Sequence, residues 1–167
     1  MRPVLITLLS AAMLSAAGSP PAEPCATAER HELDFMIGNW LVRDPAGKAI
    51  GTATVARAYA GCVLIETWRD AGSGRASLGI IGFELESGTW RRDFLDSAGV
   101  VLSLAGRVEG TALAMSGNEY RAEGVRSHRV RWTSRAGGGI DQRWQISADG
   151  GRSWQLRQQG AFERISE

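Results

Sequence analysis

The residue with the most chemical potential in this chain is an acid set among apolar neighbours. Glu66 lies inside Val63-Leu64-Ile65-Glu66-Thr67-Trp68. In an extended segment alternate side chains share a face, so Leu64, Glu66 and Trp68 stand together, opposite Val63, Ile65 and Thr67. Both faces are partly apolar, and periodicity leaves open which one is internal. On an internal face an ionised carboxylate is costly unless it is paired. Two candidate partners are Arg92, on a face with Trp90 and Phe94, and Gln142, on a face with Trp144 and Ile146. Together these residues read as a polar anchor within an aromatic-lined cavity. The competing readings are an internal ion pair with no ligand, or a surface glutamate. Trp68, Trp90, Trp132 and Trp144, with Trp154, either line a pocket for an apolar molecule or fill a small barrel.

His128 shares a face with Val130 and Trp132 and is the only other candidate for acid–base work. An enzyme of cyclase, isomerase or lyase type would use Glu66 or His128 as acid or base, with Arg92 holding an anionic intermediate. The sequence assigns no catalytic residue beyond that. His31-Glu32 opens a zincin-like motif, but Phe35 stands where the second His belongs. No nucleophile elbow, phosphate loop, dinucleotide fingerprint or calcium-loop spacing occurs, so neither a metal nor a cofactor is expected. Ser147-x-Asp149-x-Gly151-x-x-Trp154 matches the Asp-box hairpin that recurs in sialidases. Its mechanics are local: Ser and Asp oxygens bond turn amides, and Trp154 is expected to anchor the hairpin in the core. One copy carries no enzymatic implication.

These residues need elements to position them. From Asn39 onward the chain breaks into short stretches at Gly-bearing turns, such as Asp44-Pro45-Ala46-Gly47 and Asp149-Gly150-Gly151. The stretches between are rich in β-branched and aromatic residues, many alternating in polarity. This gives about ten strands with hairpin-sized connections and one helical candidate, Thr27 to Ile37. Ten strands in an open sheet would leave two exposed edges, which closure removes. The expected fold is all-β, an antiparallel up-and-down barrel. An immunoglobulin-like sandwich is the alternative, poorly matched because Cys25 lies outside the strands.

The chain has 167 residues, enough for one domain. Lys+Arg is 19 and Asp+Glu 18, a net charge of +1, which argues against a nucleic-acid partner. Gly is 21 of 167, more than the usual share of roughly 7%. Residues 1–22 read as an export signal: Arg2, then a 14-residue stretch from Val4 to Ala17, then Ser15-Ala16-Ala17 as a cleavage site. The stretch falls short of the about 20 residues a membrane span needs. The mature domain is residues 23–167, placed in the periplasm or outside the cell, with no oligomeric state implied. In an oxidising compartment Cys25 and Cys62 read as a disulfide. Closing that loop of about 37 residues stabilises a fold by roughly 3–4 kcal/mol on the chain-entropy estimate. A lipid-modified Cys25 lacks its flanking signal, and two distant thiols do not make a metal site.

Phe35-Met36-Ile37-Gly38-Asn39-Trp40 resembles the start of a family of uncharacterised exported bacterial proteins with a Phe-Asp-Phe-Trp-Ile-Gly-x-Trp-like segment. Later pieces are similar too: Gly61 to Trp68, Trp90 with Arg92, Arg131-Trp132-Thr133, Gln142-Arg143-Trp144, and Ser147 to Trp154. Met36 departs from an aromatic position of that family, and Arg92 from a frequent Gln. The family resembles calycins, the lipocalin-like barrels, and has no agreed activity. The resemblance implies that Trp40 plugs one end of the barrel and that Arg164 stacks across it, a cation–π contact of about 1 kcal/mol. The haem-binding barrels of the wider calycin group use a His on a late strand, and none follows His128. The function expected is an exported barrel for a small apolar or amphipathic molecule, with a solid interaction barrel as a further alternative.

Overall fold

A computed structural model describes Cys25 and residues 27–165; the export segment expected over residues 1–22 lies outside the described residues. Ten strands follow one another: β1 (Gly38–Arg43), β2 (Ala49–Ala58), β3 (Val63–Asp70), β4 (Ala76–Glu84) and β5 (Thr89–Asp96). Then come β6 (Val101–Glu109), β7 (Ala112–Arg121), β8 (Gly124–Ser134), β9 (Ile140–Ser147) and β10 (Gln155–Arg164). Each pairs antiparallel with the next, and β10 returns to β1, closing the barrel. The expected ring is therefore present, and the two-layer sandwich is not. At the seam Trp40 lies opposite Arg164 and Val42 opposite Phe162.

Burial alternates along the strands, as a one-walled barrel demands. In β2 the small and branched residues Gly51, Ala53 and Val55 are buried while Thr52 and Thr54 are exposed. In β8, His128, Val130 and Trp132 are buried and Arg129 and Arg131 exposed. The same phase settles the open question in β3, where Leu64 and Glu66 are buried and Thr67 is exposed.

The helical expectation over Thr27–Ile37 takes the form of two short 3-10 turns, Ala28–His31 and Asp34–Met36. They break at Leu33, which is fully buried, so tertiary packing rather than helical periodicity shapes the segment. The segment closes one end of the barrel. Met36 packs in the core there, and its carbonyl accepts a bond from Trp40 Nε1 at 2.9 Å. Trp90 Nε1 donates to Glu32 at 2.9 Å. The Cys25–Cys62 disulfide ties the segment to the β2–β3 turn, and Arg30 donates to the Cys62 carbonyl at 2.5 Å.

Arg164 completes the closed end. Its guanidinium carbon sits 4.4 Å from the Trp40 ring centroid, and Nη1 donates to the Ile37 carbonyl at 2.8 Å. A Cβ on Gly38 would fall 2.1 Å from that Nη1, and Gly38 has φ +143°. The positive dihedral favours glycine, and a Cβ would push the Arg164 guanidinium from its place.

Candidate functional site

The other end of the barrel is open. A cavity of about 450 Å³ runs inward from there, reached past Ser73 in the β3–β4 turn and Val100 in the β5–β6 turn. This lies within the range of about 300–1,000 Å³ for small-molecule sites.

Its floor carries the buried ion pair. β3 presents Glu66 and β5 presents Arg92, whose Nε donates to Glu66 Oε2 at 2.9 Å and whose Nη2 lies 2.8 Å from the same oxygen. The side chains are 7% and 4% exposed, which makes this pair internal. Gly79 of β4 lies between the two strands, opposite Glu66. A Cβ there would stand 3.1 Å from Glu66 Oε2 and 3.3 Å from Arg92 Nε, so the strand carrying glycine lets the pair reach across it. The Arg92 guanidinium is flanked by aromatics, 5.0 Å from the Phe94 centroid and 5.5 Å from that of Trp132. Both contacts converge on one carboxylate oxygen, leaving Glu66 Oε1 and Arg92 Nη1 without a protein partner among the described residues. The floor thus offers an adjacent acceptor and donor at fixed positions.

One wall is built by β7, β8 and β9. Trp144 Nε1 donates to His128 Nδ1 at 3.0 Å, and His128 Nε2 lies 3.1 Å from Glu119 Oε2. An indole nitrogen can only donate, so Nδ1 must be the acceptor and the proton sits on Nε2, pointing at Glu119. The ring is therefore held as one neutral tautomer. Burial lowers the His128 pKa from its usual 6.5, and Arg126 and Arg157 push the same way against the opposing pull of Glu119. Glu119 also receives Arg121 Nε at 2.8 Å.

Of the residues singled out from sequence, Glu66, Trp68, Arg92, His128, Gln142 and Trp144 line the cavity. Trp90 and Trp132 do not. Trp90 packs on Phe83 near the closed end, and Trp132 lies against the Arg92 guanidinium, fully buried. Glu66 pairs with Arg92 as one of its two candidate partners; Gln142 instead accepts from Gln158 Nε2 at 2.9 Å. Trp154 is corrected too: it lies on the outer wall, its ring 4.2 Å from the guanidinium of the exposed Arg129, not in the core.

The rest of that hairpin has the local bonding expected of its motif. Ser147 Oγ donates to Asp149 at 2.7 Å and accepts from the Gly151 amide at 2.8 Å. Hydrogen bonds from Ser153 and Ser147 bring the Asp149 pKa down to about 2.

Sequence reading missed Glu119, Arg121, Arg126, Arg157 and Gln158, all of which line the cavity. Glu119 was findable, because it continues the inward phase of Leu113, Met115 and Gly117 along β7. Arg157 was not, since the register of β10 shifts between Leu156 and Gln158 and breaks the alternation that would have placed it.

Among the described residues no group of three or more His, Cys, Asp or Glu could hold a metal ion, and no helix is long and apolar enough to cross a membrane. No family model matches the chain, and no curated protein matches it.

Proposed function

We propose that this protein is an exported binding barrel that holds one small, mostly apolar molecule in the open half of its interior. The observation that carries the reading is the cavity itself. It has one closed end, one open end, aromatic walls from Trp68, Phe94 and Trp144, and a polar floor fixed by Glu66 and Arg92. The aromatic side chains supply apolar surface, and Glu66, Arg92, His128, Glu119 and Gln142 supply fixed polar groups that can set a ligand's orientation. Export is supported by the signal-like N-terminus and by the disulfide, which persists in oxidising compartments. The resemblance to exported calycin-type proteins supports the same reading.

The geometry favours holding a molecule over converting it. Both His128 nitrogens are engaged inside the protein, so the ring would have to release Trp144 before it could accept a substrate proton. Glu66 is bonded to Arg92 through one oxygen, which suits an orienting group.

The test uses the neutral dye N-phenyl-1-naphthylamine, which brightens in apolar surroundings. Saturable binding to the purified protein is expected. Ser77 faces the cavity from β4, and Ser77→Trp should fill the space and remove most of that binding while leaving the unfolding midpoint close to that of the wild type. A flat titration with the wild-type protein overturns the proposal.

A further inference from the structure

The mouth of the cavity is electrically lopsided. On the β3–β5 side, Arg75 is bonded to Asp96 at 2.5 Å. Asp70 there is turned into its own loop, accepting from the Gly72 and Ser73 amides and the Ser73 hydroxyl. Each of those charges is already answered.

Across the opening the balance reverses. Arg121 from β7, Arg126 from β8 and Arg157 from β10 all line the cavity, and Glu119 is the carboxylate lining it on that side. Glu119 is taken up by Arg121 and His128 together. Glu123 is exposed in the β7–β8 turn and bonded to Arg121 at 3.3 Å. Arg126 and Arg157 therefore make no ion pair and no side-chain hydrogen bond among the described residues.

Both line the cavity, Arg157 from an exposed position at the rim. Arg126 is half-buried and continues the inward phase of His128, Val130 and Trp132, so it is directed at the opening. Both cations lie close enough to His128 to disfavour its protonation. Gathering like charges around one opening is unfavourable unless an anion offsets them, and arginine forks are shaped to bind oxyanions. Just inside lies the apolar wall formed by Trp144, Phe94 and Trp68.

We propose that the ligand is an amphipathic anion, its carboxylate, sulfonate or phosphate head held at the mouth by Arg126 and Arg157 and its apolar body lying inward along Trp144, Phe94 and Trp68. The proposal rests on the pocket reading above and adds the charge and the orientation of what is bound.

A matched pair of dyes separates the two ideas. 8-Anilinonaphthalene-1-sulfonate is N-phenyl-1-naphthylamine with a sulfonate added. The sulfonated dye should bind the wild type about tenfold more tightly than the neutral one, and added salt should weaken only the sulfonated dye. Arg126→Gln with Arg157→Gln should abolish that advantage while leaving the neutral dye unchanged, which also shows that the variant is folded. Millimolar inorganic phosphate should not displace the sulfonated dye. If both dyes bind alike, or the double variant keeps the preference, the anion site is wrong and the pocket stands. If phosphate alone competes fully, the site is for a free inorganic anion and the amphipathic ligand is wrong. If neither dye binds, the pocket reading fails and this inference fails with it.

Discussion

At the scale of single residues, Glu66 and Arg92 have the largest energetic consequences. A buried charge pair gains Coulomb energy but loses hydration, so the net value of the pair is small and the cost of breaking it is large. Arg92→Met would strand the Glu66 carboxylate and remove the guanidinium from between Phe94 and Trp132. We expect a loss of about 3–5 kcal/mol in urea unfolding. The double change Glu66→Leu with Arg92→Met should recover most of it, because no unpaired charge remains. Equal and additive losses would mean that the pair is not coupled. The sequence showed that Glu66 needed a partner and offered Arg92 as one of two. It did not show which face of β3 was internal, because Ile65 and Leu64 are alike in polarity; the ring of neighbouring strands decides that. Nor could it show that Gly79 opens the path between the two charges, since that depends on which strand lies between them.

At the scale of elements, the turns were legible because glycine and proline restrict the backbone locally, and the strands were legible because alternation is local. The N-terminal segment was only half legible. Leu33, Met36 and Ile37 suggested one helical face, yet Leu33 is pulled into the barrel end and splits the segment into two 3-10 turns. Arrangements spanning three strands were not legible at all, and the β7–β8–β9 wall is the clearest example. His128 lies opposite Gly117 on one side and Ile146 on the other, so its partners Glu119 and Trp144 are diagonal neighbours. That wall should respond to pH in a definite direction. The folded-state pKa of His128 is lowered, so folding favours the neutral ring. The stabilisation is fully present above the unfolded value of 6.5 and is lost as the pH falls below it and through the depressed folded value. Glu119, Trp144, Arg126 and Arg157 are the groups that face the ring, and protonation would remove the acceptor for Trp144 Nε1. On acidification from about pH 8 to about pH 5, the wild type should lose stability more steeply than His128→Gln. One indole N–H resonance, absent from Trp144→Phe, should shift over the same interval. A stability gap between the two proteins that widened on acidification would reverse the sign and reject the assignment.

At the scale of the whole molecule, nine of the ten strand pairings join neighbours in sequence, and only β1 with β10 joins the two ends of the barrel. The ion pair Arg43–Glu163 on that seam spans 120 residues. Loop-closure entropy grows with the logarithm of length, so closing a loop about tenfold longer than a hairpin costs about 2 kcal/mol more. The seam is also short, with four paired positions against eight between β2 and β3. Both facts place ring closure late in folding, after the hairpins have formed. Conservative truncations should then divide by location. Phe162→Leu, at the seam, should destabilise by about 1–2 kcal/mol and appear almost wholly as faster unfolding. Val130→Ala, within the β7–β8 hairpin, should slow folding as well, giving a clearly larger φ value. The opposite division, with Phe162→Leu slowing folding in proportion to its equilibrium cost, would mean that the ends meet early. Closure also links the fold to the pocket. Phe162 of β10 and Trp68 of β3 lie on either side of the β1–β2 wall and line the same cavity, which exists only once the ring is shut. A bound molecule touching both must therefore slow opening of the seam, and at a concentration a hundred times its Kd it should add about 2.7 kcal/mol to unfolding. Adding the sulfonated dye should lower the unfolding rate of the wild type and leave its folding rate unchanged, as expected if the binding site forms after the rate-limiting step.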